Sequence, residues 1–191
     1  DGREGSMCGN GGRCITAFAN HLGMIGDSCR FSAIDGPHEA HLKAGNVSLQ
    51  MQDVTEIHTT PRYLWLDTGS PHHVQLWESW ETLDAEREGE RLRYGLYGEG
   101  GSNINFVHPL GENHFEVRTY ERGVEAETYS CGTGVTAVAL GMHHLGHLSM
   151  PTAVIKTLGG TLQVHFSKGS EGYSDIWLEG PAELVFKGEL P

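Results

Sequence analysis

The sequence has 191 residues, enough for one large domain or two small ones. Its 13 Lys and Arg against 25 Asp and Glu leave a formal charge of −12, which argues against a nucleic-acid partner and against docking on an anionic membrane, since both need a basic patch. With 38% hydrophobic residues, four Cys and no Cys-x-x-Cys pair, the composition fits a globular chain and excludes a disulfide scaffold, a zinc ribbon and a thioredoxin-like motif.

Residues 1–13 read as a Gly-rich loop. The spacing predicts a helix over 13–22, with Cys14, Ile15, Phe18, Ala19 and Leu22 on one apolar face and stop signals at Gly23 and Gly26. Strands are expected at 29–34, 38–43 and 46–52, with turns at Asp35-Gly36 and Ala44-Gly45. An extended stretch covers 57–80, including 63–66 and 73–76, and the charged residues 81–93 read as a surface helix. Strands follow at 103–108 and 114–120, and a second Gly-rich loop and helix at 131–145. The chain closes on strands at 153–158, 161–167, 174–179 and 183–187, with Gly159-Gly160 as a turn. The longest apolar stretch, 134–142, is far shorter than the ~20 residues that span a bilayer. Runs of strands around two apolar helices indicate an α+β fold.

The most informative feature is a long-range repeat. Residues 8–23 and 131–146 share six of sixteen positions without a gap, from Cys8-Gly9 and Cys131-Gly132 to His21-Leu22-Gly23 and His144-Leu145-Gly146. Ile15 and Val138 also correspond. Each copy is a Cys, a Gly-rich turn, an apolar helix and a Gly stop. A thiol at a helix start meets unpaired N–H groups and the positive end of the dipole, so its pKa is expected below the free value of about 8.5. The same N–H groups can hold a carboxylate. Two such units facing each other offer two thiols on opposite sides of one carbon, the geometry of racemisation or epimerisation. Cys14 and Cys29 read instead as buried small hydrophobes. His143 and His147 lie one helical turn apart, but no carboxylate or Cys completes a metal set. His72 and His73 fall on opposite faces of a strand.

At these residues the sequence resembles the diaminopimelate epimerase family. Asp1-Gly2 precedes Met7-Cys8-Gly9-Asn10-Gly11-Gly12-Arg13-Cys14, and Glu121-Arg122-Gly123 precedes Glu127-Thr128 and Ser130-Cys131-Gly132-Thr133-Gly134. Gly69-Ser70-Pro71-His72, Ser102-Asn103-Ile104-Asn105-Phe106-Val107 and the closing Gly180-Pro181-Ala182-Glu183-Leu184-Val185 agree as well. The resemblance implies two pseudo-symmetric units, each a mixed, mainly antiparallel sheet wrapped around a central helix. The first unit would be 1–57 plus 181–191, and incomplete; the second would be 58–180. It implies interconversion of LL- and meso-diaminopimelate in the cytoplasm, without metal or other cofactor, for lysine and peptidoglycan synthesis; a homodimer is compatible with it. Cys8 and Cys131 resemble the two catalytic bases. Gly9, Asn10, Gly132 and Thr133 resemble the helix-start positions that hold the reacting carboxylate. Asn103, Glu121, Arg122 and Ser70 occupy substrate-binding positions, with Arg122 suited to a bidentate grip on the distal carboxylate. His72 and Glu121 resemble the pair that tunes the thiols, while Gly69 and Thr128 read as structural.

Three departures stand out. Ser70 occupies the usual place of an Asn, the segment 123–130 is one residue longer than the commonest form, and Arg3 replaces a small residue. The resemblance also implies that early strands of the first unit, and an Asn expected just before Asp1, lie outside this sequence; without their cover the first helix and strand edges would be exposed. Alternative readings are another cofactor-independent racemase or isomerase of the same fold, a thiol redox protein, a binding module, or a catalytically incomplete fragment.

Overall fold

The computed structural model describes residues 5–189. In chain order these form α1 (Gly9–His21), β1 (Ser28–Ala33), β2 (Gly36–Lys43), β3 (Asn46–Gln50), β4 (His58–Thr59), β5 (Leu64–Asp67) and β6 (Pro71–Leu76). A short 3-10 turn at Trp80–Thr82 leads into α2 (Ala85–Tyr97), β7 (Asn103–Gly111), β8 (His114–Glu121), β9 (Ala126–Thr128), α3 (Gly132–His144), β10 (Thr152–Thr157), β11 (Gly160–Lys168) and β12 (Tyr173–Pro181). The motif Asp1-Gly2 and the departure at Arg3 lie outside the described residues.

The expected α+β class holds, but two separate sheets do not. The strands form one continuous sheet in the order β1-β2-β3-β12-β11-β10-β8-β7-β6-β5-β4, with β9 paired to β8. The join is β12, which pairs antiparallel with β11 on one side and with β3 on the other. Most neighbours are antiparallel; β6–β7 and β8–β10 are parallel. The sheet wraps around α3, which is buried at every residue from Gly132 to Met142. A helix apolar all round fits only such a site.

Several expectations are corrected. The first helix starts at Gly9, not at 13, because Cys8 already caps it. Its expected apolar face is turned outward: Ile15, Phe18 and Leu22 are each more than half exposed, and Cys14 is exposed too. The buried stripe is Gly9, Gly12, Arg13 and Thr16, at helical spacing, against β2 and β3. A Cβ on Gly12 would sit 2.7 Å from Leu49, so the sheet approaches where the helix is smallest. The helix expected at 81–93 begins later, at Ala85 behind the Asp84 cap; it lies on the surface as expected, with Glu86, Arg87, Glu90 and Arg91 exposed and one face, Gly89 and Leu92, buried. No strand forms at 183–187: Leu184, Val185 and Phe186 are exposed and have no ladder partner among the described residues. Cys29 is half-buried against the core.

Candidate functional site

The two Cys–Gly units adopt the same local geometry. Cys8 and Cys131 are the N-cap residues of α1 and α3, at φ −118°, ψ 106° and φ −118°, ψ 110°. Both helices have 13 residues, and both end on a right-handed Leu, Leu22 and Leu145. The glycines after each Cys bring the two helix starts into contact. A Cβ on Gly9 would lie 3.1 Å from Gly132 Cα, and one on Gly132 would lie 2.9 Å from Gly9 Cα. Any side chain there would drive the two N-termini apart.

Between them lies a cleft of about 410 Å³, open mouth included, lined by both Cys and by Asn10, Asn103, Glu121 and Arg122. Ser70, Gly9, Gly132 and Thr133 line it as well, so every residue proposed from sequence for substrate contact reaches one cavity. His72 lies behind this wall, fully buried. Ser6, missed in the sequence, also lines the cleft and donates to Ser70 Oγ at 3.2 Å.

The polar residues are held by their neighbours. Asn10 donates its amide to Ser130 O at 2.8 Å and accepts from Arg13 at 3.1 Å, tying the start of α1 to the loop before Cys131. Arg13 is a buried cation that sequence reading passed over; the signal was its place four residues after Gly9, whose carbonyl it also reaches. Asn103 donates to Ser70 Oγ at 3.0 Å and to Pro71 O at 3.1 Å, and accepts from the Arg122 backbone N–H at 2.9 Å. Ser70 thus meets Asn103 with an acceptor where the family's usual Asn would offer an amide. Arg122 Nη1 donates to Gly100 O at 2.9 Å. Thr128 donates to Glu121 Oε2 at 2.9 Å, which orients that carboxylate beside the cleft. Gly69 has φ +96°, and a Cβ there would collide with Met7, so its structural role follows from the backbone.

The thiols differ in surroundings. Cys8 is exposed, and its sulfur accepts from Gly11 N–H at 3.2 Å. Cys131 is buried, and its thiol is pushed up to about 11, first by burial and next by the Glu121 carboxylate. Thr133 and the Gly134 N–H pull the other way. For Cys131 the expectation of a depressed pKa is therefore reversed: loss of water outweighs the helix start. His72 is driven down to about 3 by burial and then by Arg122, so its ring is neutral. His73 faces away, stacked on Tyr63 and bonded to Tyr97 and Gln75. Among the described residues, no group of three or more His, Cys, Asp or Glu is placed to hold a metal, and no helix is long and apolar enough to cross a membrane. His143 and His144 bond Tyr173 and Thr59 instead.

A family model described as diaminopimelate epimerase matches residues 64–185. A diaminopimelate epimerase of Flavobacterium psychrophilum is 47% identical over 189 residues, covering 98% of this chain and 74% of that protein. Two solved structures share the fold at 12% identity each. A PhzF-family phenazine biosynthesis protein from Bacillus anthracis has a TM-score of 0.71, over 93% of this chain and 73% of its own. A probable proline racemase from Agrobacterium radiobacter, crystallised with carbonate, has a TM-score of 0.65 over 92% of this chain. The chain spans 65% of that racemase's length.

Proposed function

The chain belongs to the diaminopimelate epimerase family, and on that premise we propose that it epimerises LL-diaminopimelate to meso-diaminopimelate without a cofactor, by two-base proton transfer between Cys8 and Cys131. The observation that carries this reading is the pair of like N-caps: two thiols with the same backbone angles, on helix starts that touch, across one cleft. One thiolate would take the α-proton from one face while the opposite thiol returns a proton to the other.

The negative charge that builds on the substrate needs stabilisation. The first-turn N–H groups at Gly9, Asn10, Gly132 and Thr133 are suited to hold the reacting carboxylate, since helix N-termini favour anions. Arg122, whose guanidinium has no carboxylate partner among the described residues, would pair with the distal carboxylate and Glu121 with an ammonium, the charge pattern of a diamino diacid. Binding would bring the substrate ammonium near the Cys131 sulfur, and that positive charge would favour the thiolate against the burial that holds the thiol up. The two Cys–Gly helices are taken as the centres of two units, 1–57 with 181–191 and 58–180, joined through β12. The test is deuterium uptake at the α-carbon from D2O, with LL-diaminopimelate and proline as rival substrates. Exchange into diaminopimelate alone supports the proposal; exchange into proline alone would transfer the chain to the racemase reading.

A further inference from the structure

Asn105 lies fully buried on β7 and does not line the cleft, yet it starts a chain of hydrogen bonds that ends on Cys131. The direction of each bond follows from its partners. The carbonyl of His73 can only accept, and it lies 2.8 Å from one end of the Asn105 amide, so that end is the NH2. The other end accepts from the Thr119 hydroxyl at 3.0 Å, across the β7–β8 pair Asn105–Thr119. The second amide proton points at His72 Nδ1, at 3.1 Å. That nitrogen must therefore accept, and the proton of a neutral ring must sit on Nε2. His72 Nε2 is 2.9 Å from Thr133 Oγ1, and Thr133 Oγ1 is 3.4 Å from Cys131 Sγ.

We propose that Asn105 is a positioning residue for the Cys131 thiol: it holds His72 in the Nε2–H tautomer, so that Thr133 accepts from His72 and keeps its own hydroxyl proton for the sulfur. The proposal rests on the reading of Cys131 as a reacting thiol. The opposite tautomer would turn Nε2 into an acceptor that takes the Thr133 proton, leaving the thiolate without this donor. The choice is sharp because the buried ring is neutral and has a single N–H. The lost donor would matter because Glu121 on β8 already opposes charge on Cys131, as does Cys8 at the start of α1. Burial, and then the Arg122 charge, keep the ring from taking a second proton. His72 thus acts as a neutral donor, fixed from behind by an amide that never meets substrate.

Two measurements on the reduced protein test this, and neither needs turnover. In the unaltered chain, 15N NMR of the His72 ring should show Nε2–H; an Nδ1–H ring overturns the proposal without any variant. Asn105→Leu keeps the side-chain size and removes the donor. Peptide-resolved alkylation of Cys131 across pH should then show about tenfold less thiolate at a fixed pH below the midpoint, as expected for losing one hydrogen bond to a charged group. Near-ultraviolet circular dichroism and Cys14 alkylation should stay as in the parent, which separates loss of the relay from loss of the fold. An unchanged Cys131 profile in the folded variant contradicts the proposal. Failure of deuterium exchange with an intact relay would count instead against the diaminopimelate reading.

Discussion

The two Cys–Gly helices are alike in backbone and unlike in surroundings. Both begin at a Cys N-cap with nearly the same angles and run 13 residues to a Leu. Yet Val138 on α3 is fully buried, while Ile15, its counterpart on α1, is 57% exposed. The caps come from local sequence, namely a Cys in extended conformation before glycines. Burial comes from what the sheet places around each helix, and β5 to β8 with β10 to β12 enclose α3 while β2, β3 and β12 reach only one side of α1. A repeated motif therefore specifies the Cys N-cap twice but the same dielectric surroundings only once. One thiol is open to water and the other is pushed up by burial.

The largest expected effect comes from removing either half of the pair. Cys8→Ala and Cys131→Ala should each lower kcat for epimerisation by about 100-fold or more, the scale of a lost general acid or base. Turnover above about 1% in either variant would contradict the two-base account. A milder break is steric. Gly132→Ala forces a methyl to within 2.9 Å of Gly9 Cα, and overpacking of this kind costs about 1–3 kcal/mol in urea unfolding. Gly11→Ala, whose Cβ would meet Cys8 at an ordinary 3.5 Å, should be neutral or stabilising. Equal losses in the two variants would argue against contact between the helix starts.

The histidines give a pH signature. His72 and His73 are held down to about 3 and about 4, so between those values and 6.5 the unfolded chain binds more protons than the folded one. Their contribution is complete above pH 6.5 and is lost as pH falls toward the folded values. The Glu groups with lowered pKa, such as Glu116 and Glu39, act only below 4.5, so the window from 6.5 to 4.5 belongs to the histidines held down, His72 and His73 together with the partly buried His143. The urea midpoint should fall across that window, and less steeply in His73→Gln; a flat midpoint contradicts the assigned burial. The smallest effect returns to the two helices. Val138→Ala should cost about 1–3 kcal/mol of unfolding free energy, and Ile15→Ala in this chain about 0.5 kcal/mol or less. Similar losses would mean that α1 is as well packed as α3.

Much of this was legible in the sequence. The repeat located both helix starts, and the motifs at 69–72, 102–107 and 121–134 named residues that the fold brings to one cleft. Alternation and turn glycines located most strands. What failed was whatever depended on neighbours distant in sequence. The stripe Cys14, Ile15, Phe18 and Leu22 has the period of a buried face, but periodicity cannot say whether anything covers it. The segment 183–187, with Leu184, Val185 and Phe186 at its centre, has the composition of a strand but pairs with no strand among the described residues. The helix-start rule predicted a low pKa for Cys131, and burial reversed it. Asn105 was visible within its motif, but its bond to His72 depends on the parallel pairing of β6 with β7, which no local signal encodes.

The most direct test of the central claim follows hydrogen at the α-carbon during the first turnovers of LL-diaminopimelate in D2O. Two opposed thiols predict deuterium in the meso product and none in the recovered LL substrate, because the base that removes the proton is not the group that returns one. Deuterium appearing in recovered substrate as fast as in product would mean that a single base serves both faces, and would contradict the pairing of Cys8 with Cys131.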